Sequence, residues 1–256
     1  MSKMIKKKII VLVMIILSGS LTILGSEFQK EDVVYSYNGN FKAYISFPKT
    51  PGPHPMIVYN YDQFIDWVGI ETAQKKGYSL EAFMKEFNYW GYACMVPVER
   101  YRKLHSIKGA IHYVLNDKRV NRKEVTVIGT SEGAMLSLLA TKDFPQIKSL
   151  VLIAIETINH TGALSVPNFL RSIDKVNMPM IIMAAKAGKK WRVKYEGLVV
   201  KILNQYKKKF IYKPYPYDRR WFWNPKNDFM RDLHFYLTKE PFPLPRKQDN
   251  ESKNPY

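Results

Sequence analysis

The sequence predicts an α/β domain: a mostly parallel central sheet with helices on both faces, preceded by an antiparallel hairpin. Residues 32–48 read as two alternating strands around Asn38-Gly39, a dipeptide typical of tight hairpin turns. Short apolar runs then alternate with amphipathic segments, which is the order expected of a parallel sheet. The segment EVTVIGTSEGAMLSLLAT also joins a buried strand directly to a helix.

The hairpin is followed by predicted strands at residues 56–61 and 93–97, which are short and apolar. Between them, residues 80–90 have helical spacing, with Leu80, Phe83, Met84 and Phe87 on one face and Gly91 at the end. The next helix is marked by apolar residues on one face, namely Leu104, Ile107, Ile111, Val114 and Leu115.

The second half continues the alternation of strands and helices. Strands are predicted at residues 125–128, 150–155, 180–184 and 210–212. Helices are predicted at residues 134–140, 195–206 and 229–236, whereas residues 156–174 read as an irregular segment. A single domain over residues 30–240 follows, with a proline-rich, charged tail at 241–256 that we expect to be disordered.

The amino terminus has the order of an export signal. Four lysines precede an apolar run at residues 9–17, and small residues follow it. Residues 1–25 are therefore expected to be a cleaved signal peptide or, alternatively, an N-terminal membrane anchor. Either interpretation predicts an exported protein. The one cysteine, Cys94, excludes an internal disulfide and is expected to be a buried strand residue.

The charge of the chain limits the classes of partner. The formal net charge is +18, and it falls to +14 when the four lysines of the terminal segment are left out. A basic exported domain favours anionic partners: phospholipid headgroups, anionic envelope polymers or an acidic substrate. We expect a small-molecule or polymer substrate, possible contact with a membrane surface, and no nucleic acid.

Ser131 is the candidate nucleophile. In the pattern G-x-S-x-G, a serine on a sharp turn between strand and helix is held in a strained conformation with its hydroxyl projecting from the sheet. Gly129 and Gly133 leave room for that turn, the nucleophile elbow, and the amide of Glu132 is placed to stabilise an oxyanion. The preceding β-branched strand and the following helix are the context that the motif requires.

These features resemble the α/β-hydrolase family, within it the dienelactone hydrolase and prolyl-oligopeptidase-like branch. The resemblance covers about residues 33–237 and includes the segments GPHPMIVYNYD, WGYACMVPVER and VTVIGTSEGAMLS. It implies the α/β-hydrolase fold, a Ser-acid-His triad, and hydrolysis of esters, lactones or peptides. It implies no cofactor and no metal.

The chain departs from the family pattern at three positions. A His-Gly pair is expected after Asn60, but Tyr61-Asp62 stands there, so the second oxyanion amide would come from Asp62 or Gln63. Gly188 lies where the acid is expected, and we predict no carboxylate there. Arg219 lies nearest the histidine position, and a guanidinium cannot act as a general base.

A general base would have to come from one of the five histidines of the chain. His54 is expected in a solvated loop, His105 and His112 on one helix flank, and His234 on the last helix. His160 follows a predicted strand together with Glu156, on the side where the strands end. One interpretation is a rebuilt set with Ser131 as nucleophile, His160 as base and Glu156 as acid, and an ordinary polar loop is the other.

Two loops near this site are rich in basic and aromatic residues. The ligand-binding candidates are Lys189, Lys190, Arg192, Arg219, Arg220 and Trp221. These residues would line the mouth of the site, and a cationic, aromatic mouth suits carboxylate, phosphate or sugar ligands. A solvated basic surface beside core aromatics gives the same sequence pattern. Two functions remain open: a serine hydrolase acting on esters or related acyl bonds, or a hydrolase-fold module that has lost catalysis and binds anionic envelope ligands.

Overall fold

The computed structural model describes residues 28–156 and 165–240. The predictions for residues 1–25 and 241–256, and the position of His160, lie outside these ranges. One eight-stranded sheet forms the centre, with the strand order β1-β2-β4-β3-β5-β6-β7-β8. The strands are β1 (Glu31–Ser36), β2 (Asn40–Ser46), β3 (His54–Asn60), β4 (Ala93–Pro97), β5 (Val120–Thr130), β6 (Ser149–Ile153), β7 (Met180–Ala185) and β8 (Phe210–Tyr215).

The sheet is parallel except at its amino-terminal side. Strands β1 and β2 form the predicted antiparallel hairpin, and β2 pairs antiparallel with β4. All pairs from β4 to β8 are parallel. The carboxyl ends of β3, β5, β6, β7 and β8 therefore meet at one edge of the sheet, which is where ligands bind in sheets of this kind.

Helices cover both faces. They are α1 (Phe64–Val68), α2 (Ile70–Lys75), α3 (Leu80–Tyr89), α4 (Lys103–Asn116), α5 (Glu132–Thr141), α6 (Val166–Ile173), α7 (Lys190–Gln205) and α8 (Phe229–Thr238). Helices α4 to α7 bury apolar side chains in one core cluster, and α1, α2, α3 and α8 do so in the other. The predicted α/β architecture and fold class are confirmed. Within the described ranges, no helix is long and apolar enough to cross a bilayer.

Three local predictions were wrong. Helix α6 lies inside the segment predicted to be irregular; Ser165 caps it by accepting a hydrogen bond from the Asn168 amide, and Phe169 and Ile173 are buried. Helix α7 begins five residues earlier than predicted. His54, expected in a solvated loop, is the first residue of β3 and is buried, with its ring 6.0 Å from that of Phe47. Burial lowers the pKa of His54.

Candidate active site

Ser131 lies between β5 and α5 in a strained backbone conformation. Its φ of 57° and ψ of −118° are rare for a residue with a side chain. The Ser131 amide donates to Ile153 O at 2.8 Å, and the Glu156 amide donates to Ser131 O at 3.2 Å. These backbone bonds fix the serine against the end of β6.

Gly129 and Gly133 make the turn possible by close packing. A Cβ at Gly133 would lie 2.4 Å from Asn60 O and 2.6 Å from Tyr61 O. A Cβ at Gly129 would lie 2.3 Å from Gly133 O. Since backbone atoms cannot move away as a flexible side chain can, glycine is needed at both positions.

The Ser131 hydroxyl has two polar neighbours. It donates to Glu156 Oε2 at 2.6 Å, and Arg219 Nη1 donates to Ser131 Oγ at 3.2 Å. Arg219 lies on a short 3-10 helix, Arg219–Trp223, which follows β8. The guanidinium thus lies beside the serine hydroxyl, and Ser131 has no exposed surface.

Arg219 holds two buried carboxylates together. Its Nη1 lies 3.1 Å from Asp62 Oδ2 and 3.3 Å from Glu156 Oε2. Asp62 also accepts hydrogen bonds from the Phe64 amide at 2.8 Å and from Trp223 Nε1 at 3.4 Å. Burial raises the pKa of Asp62, and the charge of Arg219 opposes that rise.

The oxyanion donors expected from sequence differ in their surroundings. The Asp62 amide donates to Tyr78 Oη at 3.0 Å, so this amide is already engaged. The amide of Glu132 begins α5 immediately after the serine, and Gln63 precedes α1. Asp62 enters the site through its carboxylate instead, a contact that the sequence did not indicate.

The other histidines lie away from the hydroxyl. His105 and His112 are exposed on α4, and His54 is at the opposite end of β3. His234 is buried on α8, with its ring 5.0 Å from that of Trp90. Within the described ranges, the Ser131 hydroxyl is bonded to a carboxylate and a guanidinium, and no imidazole shares those contacts.

The loop at Gly188 carries no carboxylate of its own, but a carboxylate from another loop lies beside it. The carboxylate of Asp218 fills the space there: a Cβ at Gly188, whose φ is +103°, would meet Asp218 Oδ2 at 2.5 Å. Asp218 also accepts hydrogen bonds from the amide and Nε of Arg220. The neighbouring loop after β8 therefore places an acid beside β7.

Most of the predicted cationic mouth is paired within the protein. Arg219 contacts Asp62 and Glu156, Arg192 Nη2 lies 3.3 Å from Glu156 Oε1, and Arg220 bonds Asp218. Two more candidates, Lys189 and Lys190, are exposed. The last, Trp221, donates to Asp228 Oδ1 at 3.0 Å and stacks on Tyr217 at 4.0 Å.

A second charged cluster flanks the elbow. Lys103 Nζ lies 2.7 Å from Asp66 Oδ2 and 3.0 Å from Glu132 Oε2. Asp66 also accepts a hydrogen bond from Tyr61 Oη at 3.0 Å. These contacts join α1, α4 and α5 around the start of the elbow helix and support its position. Within the described ranges, no three histidine, cysteine or carboxylate side chains are grouped as a metal site.

The comparisons with known proteins agree with this fold. Residues 103–210, less than half of the chain, match the BAAT / acyl-CoA thioester hydrolase C-terminal family. No curated protein matches the chain in sequence.

Solved structures similar to this chain include a dienelactone-hydrolase-like protein from Klebsiella pneumoniae, with a TM-score of 0.58 and 13% identity over 75% of this chain and 86% of that one. A fungal esterase from Rhizomucor miehei gives a TM-score of 0.61 and 14% identity, covering 83% of this chain and 84% of that one. Dipeptidyl peptidase 4 from Porphyromonas gingivalis gives a TM-score of 0.62 and 13% identity, and the match covers 84% of this chain but only 36% of the peptidase. The chain therefore has the α/β-hydrolase fold.

Proposed function

We propose that this protein hydrolyses a carboxylic ester or a related acyl bond through Ser131, with Glu156 as the proton acceptor. One observation carries the proposal: in the strained elbow, the Ser131 hydroxyl donates to Glu156 Oε2 at 2.6 Å. A backbone conformation such as that of Ser131 costs about 1–3 kcal/mol and is typically kept at functional sites.

The reaction would take two steps. Ser131 Oγ attacks the acyl carbon, its proton passes to Glu156 Oε2, and the alcohol or thiol leaves with a proton returned from Glu156. Water then attacks the acyl-enzyme, giving up a proton to Glu156, and the acid departs as Oγ regains a proton. The amides of Glu132 and Gln63 would stabilise the oxyanion of each tetrahedral intermediate.

Arg219 would serve as an electrostatic group in this reaction. A guanidinium has hydrogen-bond donors and no acceptor, so Arg219 does not take the serine proton. Donation from Nη1 to Ser131 Oγ at 3.2 Å would instead stabilise negative charge as it develops on that oxygen. Because Ser131 has no exposed surface, a substrate reaches its hydroxyl only after side chains around the site shift.

The proposal is tested by turnover of short-chain acyl esters and thioesters. We expect hydrolysis by the natural protein, and a loss of at least about 100-fold in kcat/KM for Ser131→Ala and for Glu156→Gln. Glu81→Gln is the matched control, because its carboxylate is exposed on α3 and pairs with Lys85. Equal turnover by Ser131→Ala and the natural protein would refute the proposal.

A second candidate is a binding module that has lost catalysis. It is favoured by the burial of Ser131 and by the pairing of Arg219 with Asp62 and Glu156. This candidate predicts no turnover by any variant and unchanged ligand affinity in Ser131→Ala. Turnover that depends on Ser131 would eliminate it.

Export and a preference for anionic ligands belong to both candidates as proposals. The basic balance of the chain and the exposed lysines at 189 and 190 support an anionic substrate or a membrane surface. Nucleic acid is not expected among the partners. Fractionation of cells that express the full chain would test export, and finding the protein only in the cytoplasm would contradict it.

A further inference from the structure

A small cavity adjoins the Ser131 site, with Glu156 and Arg219 in its lining. Its volume is about 20 Å³, and its lining includes Glu156, Arg192, Glu196 and Arg219. A single water molecule requires roughly 10–15 Å³ of such space. The cavity is thus large enough for one water molecule.

Three buried polar atoms at this cavity lack a hydrogen-bond partner within the described ranges. They are Glu156 Oε1, Arg192 Nε and Glu196 Oε1. Arg192 Nη2 and Glu156 Oε1 are 3.3 Å apart, an ion-pair distance without hydrogen-bond geometry. Glu156 and Glu196 are each only 3% exposed, so bulk water does not satisfy these carboxylates.

The donors and acceptors that lack partners determine which small molecule or ion can fill the cavity. Among the described residues, two carboxylate oxygens lack a hydrogen-bond donor, and one guanidinium Nε–H lacks an acceptor. Lys186 Nζ, 4.0 Å from Glu196 Oε1, is at ion-pair distance only. Water supplies two donors and an acceptor. Ammonium has no acceptor for Arg192, chloride has no donor for the glutamates, and a metal ion would be repelled by the guanidinium.

We infer that one structural water molecule donates to Glu156 Oε1 and Glu196 Oε1 and accepts from Arg192 Nε, linking Glu196 to the Ser131–Glu156 pair. With Oε1 held by this water, the other oxygen of Glu156 faces the serine hydroxyl. Glu196 is then a positioning residue, acting on Ser131 through the water and Glu156. The water site stands on its own, and its effect on Ser131 rests on the proposed function.

The charge of Glu196 varies near neutral pH. Burial raises the pKa of Glu196 to about 7, against the opposing effects of Lys186 and of the Ala185 amide. The other charged groups around the cavity are Glu156, Lys189, Arg192, Asp218 and Arg219. An ionised Glu196 adds negative charge next to Glu156 and favours transfer of the serine proton. Reactivity of Ser131 is expected to rise as Glu196 loses its proton.

The water itself is tested by a crystal structure of the unreacted full chain at a resolution that shows ordered solvent. The expected result is one peak within hydrogen-bond distance of Glu156 Oε1, Glu196 Oε1 and Arg192 Nε. A dry cavity, or a direct bond from Arg192 to Glu196, would overturn the inference. This result does not depend on activity, so it separates failure of the water site from failure of the proposed function.

The link to Ser131 is tested by the rate of fluorophosphonate labelling from pH 5.5 to 8.5 in the natural protein, in Glu196→Gln and in Glu81→Gln. The natural protein and the Glu81 variant, changed at an exposed carboxylate, should share a several-fold rise centred near the Glu196 pKa of about 7. Glu196→Gln should lack that rise. The same profile in all three proteins, or no labelling of any, would refute this coupling.

Discussion

Gly133 lies where the start of α5 passes the end of β3, and its side-chain position is occupied by the carbonyls of Asn60 and Tyr61. We predict that Gly133→Ala lowers the free energy of unfolding by at least about 2 kcal/mol, because two backbone segments must separate. Urea unfolding followed by circular dichroism would measure this. Serine-dependent labelling should fall as well, since the elbow moves.

Gly197→Ala is the matched control for that change. Gly197 lies in α7, and a Cβ there meets nothing within 4 Å. Alanine should therefore stabilise the protein by about 0.5–1 kcal/mol through helix propensity. If both glycine variants changed stability by the same amount, the close approach at Gly133 would not be what requires glycine there.

Glu196 should make stability depend on pH. Its pKa in the folded protein, about 7, lies above the usual 4.5, so the folded state holds its proton more tightly than the unfolded chain. The stability due to this proton is fully present below about pH 4.5 and is lost as pH rises through 7. The loss amounts to roughly 3 kcal/mol.

Glu196→Gln should remove that part of the pH dependence. Chemical unfolding at pH 4.5, 6 and 8 gives the free energy of unfolding of both proteins. Burial also raises the pKa of Asp62, but Asp62 is present in both proteins, so its contribution cancels in the difference between them. Parallel stability curves for the natural protein and the variant would show that Glu196 is ionised throughout.

At the scale of elements, the 3-10 helix Arg219–Trp223 follows β8 and places Arg219 against the Ser131 hydroxyl. Its two arginines have different environments, since the side chain of Arg219 is 13% exposed and that of Arg220 is 72% exposed. Asp218 caps this helix by accepting a hydrogen bond from the Arg220 amide. The helix therefore delivers one guanidinium inward and leaves the next in solvent.

Arg219→Leu should be strongly destabilising, and Arg220→Leu nearly neutral. Removing the Arg219 guanidinium leaves Asp62 and Glu156 buried without that charge partner, which typically costs about 3–5 kcal/mol. The exposed ion pair between Arg220 and Asp218 contributes no more than about 1 kcal/mol to the free energy of unfolding. Thermal and urea unfolding of both variants would test this, and equal effects would mean that the buried network does not stabilise the fold.

Strand and helix order could be predicted because apolar periodicity is a local property of the sequence. The three short elements α1, α2 and α6 could not, since each has fewer than ten residues and depends on tertiary packing. The site was predicted in part. Because parallel strands end at one edge, Glu156, Asp62 and Arg219 could be expected near Ser131, although Glu156 was expected there as the acid beside His160. The pairing of Arg219 with both carboxylates and the position of Glu196 depend on side-chain contacts between distant loops, for which the sequence carries no local signal.

At the scale of the whole molecule, the excess of positive charge acts mainly through side chains that are not paired internally. Lys189 and Lys190 are exposed near the site, whereas Arg192, Arg219 and Arg220 are paired with carboxylates. We predict that Lys189→Glu with Lys190→Glu lowers retention on anionic vesicles several-fold at 0.1 M salt. At 1 M salt the difference should largely vanish, since the Debye length falls from about 10 Å to about 3 Å.

The control pair for that experiment is Lys118→Glu with Lys123→Glu. Both lysines are exposed near the amino-terminal end of β5, at the opposite edge of the sheet. The control removes the same charge and should reduce retention less. Equal losses would show that the charge acts as a general property of the surface, and that the mouth of the site has no special role.

The central claim is that Ser131 is a nucleophile activated by Glu156. The most direct measurement is the intact mass of the natural protein, Ser131→Ala and Glu156→Gln after exposure to a fluorophosphonate probe, with peptide mapping of the adduct. The account predicts one adduct on Ser131 in the natural protein, none in Ser131→Ala, and labelling slowed at least about 100-fold in Glu156→Gln. Absence of an adduct on the folded natural protein, or an adduct of equal extent on Ser131→Ala, would contradict it.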